Sequence, residues 1–237
     1  SGLQYQLAAY VNRIDDYITG RDVSGAPGSN RCPPAFTATC KETVNLGHIE
    51  NRRGIKILGL MGFGMLRNFE IVIDPVHSEL RLYKIDRTGK RIDNQSGEFK
   101  PDLSQEIEGS GNILFLKGMI CGKALKFCFD TAAETNVLSS SSNRSVLSTL
   151  TITRRTELKG AGSAVSEVLF GRMNDFTMGD RTITGMETVV TNLTSLLEAY
   201  NTHIDGILGY SFLQHTVVCV NFMNSHVGIL FAGGEEK

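Results

Sequence analysis

The strongest constraint on this chain is that part of it occurs twice. Laying Gly62 on Gly209, an offset of 147 residues, places Asn45-Leu46 on Asn192-Leu193 and Gly59-Leu60-Met61-Gly62 on Gly206-Ile207-Leu208-Gly209. Leu66 then meets Leu213 and Ser78 meets Ser225 without a gap. The apolar phase is shared as well, since Ile71, Ile73, Leu80 and Leu82 coincide with Val218, Val220, Val227 and Ile229. Apolar residues at every second position mark strands with one buried face. Each copy therefore predicts a short helix capped near Asn45 or Asn192, a Gly-x-x-Gly turn, and two strands in hairpin order.

Between the copies, short apolar runs alternate with turn residues. A strand pair is expected over 113–129, a Ser-rich segment over 139–145, and strands near 150–158 and 165–170 joined by Lys159-Gly160-Ala161-Gly162-Ser163. A hairpin follows, with its turn at Met178-Gly179-Asp180 between apolar runs at 173–178 and 183–190. Short strands with turns at close intervals predict an all-β barrel or sandwich. The polar stretch 86–111 reads as a linker, parts of it suited to edge strands or to a hairpin through Thr88-Gly89.

Composition removes several classes. At 237 residues and 41% hydrophobic, the chain has enough apolar surface for one large domain or two lobes. A net charge of −1 offers no pull on phosphate backbones, and Arg52-Arg53 and Arg154-Arg155 are too short to act as basic patches. No nucleic-acid partner is expected. The uncharged run at 57–66 is half the ~20 residues needed to span a bilayer and is rich in glycine. No secretion signal opens the sequence, so one is either absent or already removed.

Five cysteines leave at least one unpaired. Cys32 and Cys40 flank a Pro-Pro loop suited to close a small ring, whereas Cys128 and Cys219 lie in apolar strands where a buried thiol is expected. There is no Cys-x-x-Cys, no His-Glu-x-x-His and no Gly-x-Ser-x-Gly, and His48, His77, His203, His215 and His226 lack ligand spacing. Gly59 to Gly64 is not a dinucleotide loop, because Met65-Leu66-Arg67 after it supplies no third glycine of the fingerprint and no long βαβ unit follows. Asn94, Asn143 and Asn192 open Asn-x-Ser/Thr triplets, which matter only in a eukaryotic secretory setting.

The chemistry-bearing stretch is Lys126-Phe127-Cys128-Phe129-Asp130-Thr131-Ala132-Ala133-Glu134-Thr135-Asn136-Val137-Leu138. An apolar strand delivers one carboxylate, Asp130, to a turn of small residues, and Val137-Leu138 then resume a buried run. An acid at that place is a poor core residue. It becomes a useful catalytic one when a second group shares its proton.

This stretch, taken with Ile207-Leu208-Gly209 well downstream, resembles the pepsin and retropepsin clan of aspartic peptidases. There an apolar strand ends in Asp-Thr-Gly or Asp-Ser-Gly, and an apolar-apolar-Gly strand braces the loop. Ala132 stands where the clan has glycine, a fit only if its φ is negative. The resemblance implies Asp130 as one catalytic acid, Thr131, Ala132 and Ala133 as its loop, and Ile207, Leu208 and Gly209 as the supporting turn. It also implies a flap at Gly160, Ala161, Gly162 and Ser163, an extended peptide or unfolded protein as substrate, and no metal or cofactor.

The implied chain is all-β with few short helices. It comprises the later part of a first lobe at 1–85, a linker at 86–111, and a closed retropepsin/pepsin-like barrel lobe at 112–237. Its implied activity is aspartic-type endopeptidase, the alternative being a binding or structural module without catalysis.

Such chemistry takes two carboxylates, because like charges a few ångströms apart share one proton and so hold both an acid and a base. Projecting Asp130 through the repeat falls before the first residue, and neither Asp15-Asp16 nor Asp22 follows an apolar strand in the required way. Three arrangements stay open: an upstream lobe supplies the other Asp, a second copy supplies it, or catalysis has been lost.

Overall fold

The computed structural model describes residues 66–92, 97–108, 113–156, 168–194, 196–197 and 202–232, together with the backbone of 21–24, 39–42, 157–159 and 165–167. Asn45-Leu46, Gly59 to Gly62, Cys32 and Asp15-Asp16 lie outside them. Strands β1 (Arg21–Ser24) and β2 (Thr39–Glu42) form an antiparallel pair in one compact unit, and the described residues from Leu66 onward form another.

In that second unit, β3 (Phe69–Asp74) and β4 (Glu79–Lys84) make one hairpin, while β15 (Thr216–Asn221) and β16 (His226–Phe231) make another. Their ends coincide under the 147-residue offset. So do their turns: Ser78 and Ser225 both take positive φ, 56° and 52°. Asp74 Oδ1 accepts the His77 N–H at 3.1 Å, and Asn221 Oδ1 accepts the N–H groups of Met223 and Asn224 at 3.2 and 3.4 Å. An Asp in one copy and an Asn in the other thus hold the same turn with the same acceptor oxygen.

The two hairpins join through β3 and β15, giving a five-stranded sheet in the order β4-β3-β15-β16-β5, where β5 is Leu103–Glu106. The stretch 86–111 thus contributes an edge strand. The β3–β15 ladder pairs Ile73 with Val218, Val72 with Cys219 and Ile71 with Val220. Applying the offset exchanges the first and third pairs and returns Val72–Cys219 to itself, so a local two-fold axis passes through that pair.

The remaining strands form a curled nine-stranded sheet, ordered β12-β11-β6-β7-β14-β8-β13-β10-β9. They are β6 (Phe115–Ile120), β7 (Lys123–Phe129), β8 (Asn136–Ser139), β9 (Leu150–Lys159), β10 (Val165–Met173), β11 (Phe176–Met178), β12 (Arg181–Ile183), β13 (Met186–Thr191) and β14 (Gly206–Leu208). The unit also holds two four-residue helices among the described residues, α1 (Arg144–Leu147), capped by Asn143, and α2 (Tyr210–Leu213). The all-β expectation holds.

One detail differs from the sequence reading. The apolar runs at 173–178 and 183–190 are each broken in two: Met173 ends β10 and Phe176 starts β11, while Ile183 ends β12 and Met186 starts β13. The cause is a pair of corners, in which Gly185 takes φ 72° and donates its N–H to Asn174 Oδ1 at 3.2 Å.

The core is continuous between the two sheets. Phe127, Phe176 and Phe212 are fully buried, with ring centroids 5.5 and 6.0 Å apart in edge-to-face contact. Each such ring is worth about 1.5–3 kcal/mol of burial. Ile71, Ile73, Val218, Val220, Val227 and Ile229 pack into the same cluster. A smaller cluster, built on Phe115, Cys128, Ala133, Val137, Ile204 and Ile207, lies on the other side of β7.

Candidate active site

Strand β7 is buried on both faces near its end. Leu125 and Phe127 enter the large cluster and Cys128 enters the smaller one. Its neighbours are β6, antiparallel, and the short β14, parallel, with Phe129 opposite Leu208. The chain leaves this ladder at Asp130 without losing its hold. The Asp130 N–H donates to the Leu208 carbonyl at 3.0 Å, and the Asp130 carbonyl accepts from Ala133 N–H at 3.2 Å, closing a turn over 130–133.

The carboxyl of Asp130 is half-buried and its Oδ1 accepts the Ala132 N–H at 2.8 Å. Burial raises its pKa above the ordinary carboxylate value, with the Ala132 N–H working the other way. No acidic group among the described residues contributes to that shift.

Thr131 and Ala132 are half-buried and Ala133 is buried. Among the described non-glycine residues, positive φ occurs only at Ser78, Cys121 and Ser225. Ala132 therefore has a negative φ, and the alanine sits here without backbone strain while still offering its N–H.

Ile207 and Leu208 lie in β14, and Gly209 directly follows it. β14 fits between β7 and β8, parallel to the first and antiparallel to the second. All three of its residues are buried. Beyond Leu208 the chain turns into α2, and Tyr210 N–H donates to the Ala133 carbonyl at 2.7 Å. A Cβ on Gly209 would stand 2.5 Å from the Ala133 oxygen and 2.7 Å from the Thr135 oxygen. Glycine is required here by close approach of two main chains, since its φ is −111°.

Two neighbours escaped the sequence reading. Asn136 is fully buried, its Oδ1 accepting the Gly209 N–H at 2.9 Å and its Nδ2 donating to Met186 Sδ at 3.4 Å. Asp205 ties the start of β14 to β7, because its Oδ2 accepts the Lys126 N–H at 2.8 Å while its own N–H donates to the Lys126 carbonyl at 2.7 Å. A polar residue directly before Val137-Leu138 was the only signal for Asn136. For Asp205 it was an acid directly before Gly-Ile-Leu-Gly.

The flap residues Gly160, Ala161, Gly162 and Ser163 lie outside the described residues. The strands on either side, β9 and β10, pair antiparallel from Leu150↔Met173 to Lys159↔Val165. Asp22 lies in β1, in the other compact unit. His203 Nε2 sits 3.2 Å from Asp205 Oδ1, and burial lowers the pKa of His215. Cys128 and Cys219 are buried thiols, as expected, and Cys121 is exposed. Among the described residues no helix is long and apolar enough to cross a membrane.

Residues 116–212, which include Asp130 and Gly209, match the family model described as aspartyl protease. No curated protein matches the chain. Among solved structures it is similar to a retropepsin-like aspartic protease from Rickettsia conorii. That match has a TM-score of 0.37 and 16% identity, and covers 54% of this chain and 98% of that one.

Proposed function

We propose, from the premise that the chain over residues 116–212 is of the pepsin/retropepsin-like aspartic peptidase family, that it is an endopeptidase in which Asp130 is one of two carboxylates activating a water. The observation that carries this reading is the state of Asp130. It is a strand-end acid held by Leu208 and Ala132, and burial favours its neutral form. In a pair sharing one proton, such a group suits the protonated half. The ionised partner takes a proton from water as the oxygen attacks the peptide carbonyl, and Asp130 passes its proton onward toward the departing nitrogen.

The second acid comes from outside the described residues, and the sheet supports an additional lobe as its source. Leu82 and Ile229 are equivalent under the repeat, yet Leu82 is 41% exposed and Ile229 is 0%. Leu80 is half-buried where Val227 is fully covered. Among the described residues, the core that covers β16 thus reaches only part of β4, with Leu80 packed against it and Leu82 exposed. A lobe seated there, related to the 112–237 lobe by the local two-fold, would bring its own acid toward Asp130. A second copy of the chain is the competing source.

Thr131 in this reading ties the two loops together. The β9–β10 hairpin, with the flap that the family resemblance assigns to Gly160 to Ser163, closes over an extended peptide that pairs with strand edges. The alternative is a binding module that keeps the fold without catalysis, favoured by the lack of any perturbing acid beside Asp130 among the described residues.

Cleavage of an unfolded protein at acidic pH, with and without a pepsin-type transition-state inhibitor, separates the two. The inhibitor should block cleavage, and Asp130→Asn should reduce it by about 10²–10⁴-fold. Cleavage that ignores both changes would exclude the enzymatic reading. Sedimentation of the active species then distinguishes the sources of the second acid, a monomer pointing to a further lobe and a dimer to a second copy.

A further inference from the structure

We propose that Asn136 is a positioning residue for Asp130, its side-chain amide fixing the height of the Gly209 turn on which the Asp130 loop rests. This rests on the catalytic reading of Asp130. The argument begins with the β14–β8 ladder, which pairs Gly206 with Leu138 and Ile207 with Val137 and then stops. The two strands diverge at that point. Gly209 N–H is the first main-chain donor past the end of β14, and it is met by Asn136 Oδ1 at 2.9 Å. A side chain thus continues the bonding where the main chains have parted.

The position of this bond matters because of what else meets there. Leu208 O holds the Asp130 N–H, and Ala133 O holds the Tyr210 N–H, so the bonds joining the 130–133 loop to the 208–210 turn lie on either side of Gly209. Those flanking bonds are main chain to main chain and indifferent to residue type. Asn136 supplies the one contact in the set that a substitution can remove. The amide is fully buried, and its other end meets a sulfur, a weak acceptor. A polar side chain held so deep costs stability unless its bonds are made. Packing alone would favour an apolar residue in its place.

Removing the amide leaves Gly209 N–H unmet and lets the turn shift against Ala133 and Thr135, whose oxygens already crowd it. Small displacements of a catalytic group are expensive in rate. Loosening should also admit water to the Asp130 carboxyl and undo part of its burial.

The test uses the full chain as Asn136→Ala and Asn136→Ser, with Asp130 followed by carbon-13 NMR titration and peptide hydrolysis followed in parallel. Asn136→Ala should move the Asp130 midpoint toward the ordinary carboxylate value. It should also lower kcat by about tenfold or more with KM within about threefold. Asn136→Ser, which keeps a small acceptor, should recover part of both. A folded Asn136→Ala protein whose Asp130 midpoint and kcat match those of the unsubstituted chain would overturn the proposal, whatever its melting temperature. Should Asp130→Asn retain hydrolysis, the catalytic reading fails, yet the titration still decides whether Asn136 sets the environment of Asp130.

Discussion

Replacing Gly209 by alanine tests whether the turn beneath Asp130 is a brace or only a neighbour. The backbone there, φ −111° and ψ −153°, is accessible to alanine, so no dihedral penalty is expected. The cost is steric. The added methyl would lie 2.5 Å from the Ala133 oxygen, 2.7 Å from the Thr135 oxygen and 2.8 Å from the Ala133 Cβ. Two of those atoms are main chain and cannot rotate away. The loop and the turn must separate by several tenths of an ångström, stretching the Asp130–Leu208 and Tyr210–Ala133 bonds, now 3.0 and 2.7 Å.

Overpacking of this kind costs about 1–3 kcal/mol. For a chain of this size that lowers Tm by about 2–12 °C. Gly97→Ala is the control, since a Cβ there meets nothing within 4 Å. It should be neutral or stabilise by up to about 1 kcal/mol. Thermal and urea unfolding of both variants, with hydrolysis measured well below Tm, read the two effects separately. If Gly209→Ala melts with Gly97→Ala and hydrolyses peptide at the unsubstituted rate, the turn does not brace the loop.

Asp130→Asn should raise Tm near pH 7 and leave it unchanged near pH 3. The folded pKa is raised, so the folded state loses ground as pH climbs from the ordinary carboxylate value through the raised one, a loss an amide escapes. Equal shifts at both pH values would contradict the burial argument. Ala132→Gly should cost about 0.4–1 kcal/mol through unfolded-state entropy and leave kcat unchanged, because Ala132 already has a negative φ. A tenfold rise in kcat would mean that the methyl obstructs the loop after all. Iodoacetamide at mildly alkaline pH should label Cys121, which is exposed, and spare Cys219, whose thiol is pushed up to about 12 by burial and by the Glu70 carboxylate. Peptide mapping of the folded protein distinguishes them, and labelling of Cys219 at the rate of Cys121 would show the sheet face to be open.

What could be read from the sequence was local or periodic. The hairpins of β3–β4 and β15–β16 announced themselves because alternate apolar residues recur at a fixed offset, and their observed ends keep that offset. The Asp130 turn was legible because an apolar strand stops abruptly at an acid followed by small residues. The contacts that support that turn were not legible. Asn136 meets Gly209 across 73 residues and Asp205 meets Lys126 across 79. No periodicity in one dimension encodes a bond of that length. The broken runs around Met173 and Ile183 failed for a related reason, since Asn174 and Gly185 make their corner by bonding to each other.

The site also explains why so short a strand as β14 suffices. Three residues make a weak ladder in isolation. Placed between β7 and β8, though, β14 bonds on both sides, and its buried residues anchor both apolar clusters, Leu208 in the larger and Ile207 in the smaller. Moving it would disturb two cores at once. That rigidity offsets the cost of keeping the Asp130 carboxyl partly out of water, a cost the loop itself reduces with only the Ala132 N–H. An acid perturbed by burial alone gains little from the folded state in return. A carboxyl raised in this way is suited to share a proton with a second acid, which is the arrangement that the proposed catalytic reading of Asp130 calls for.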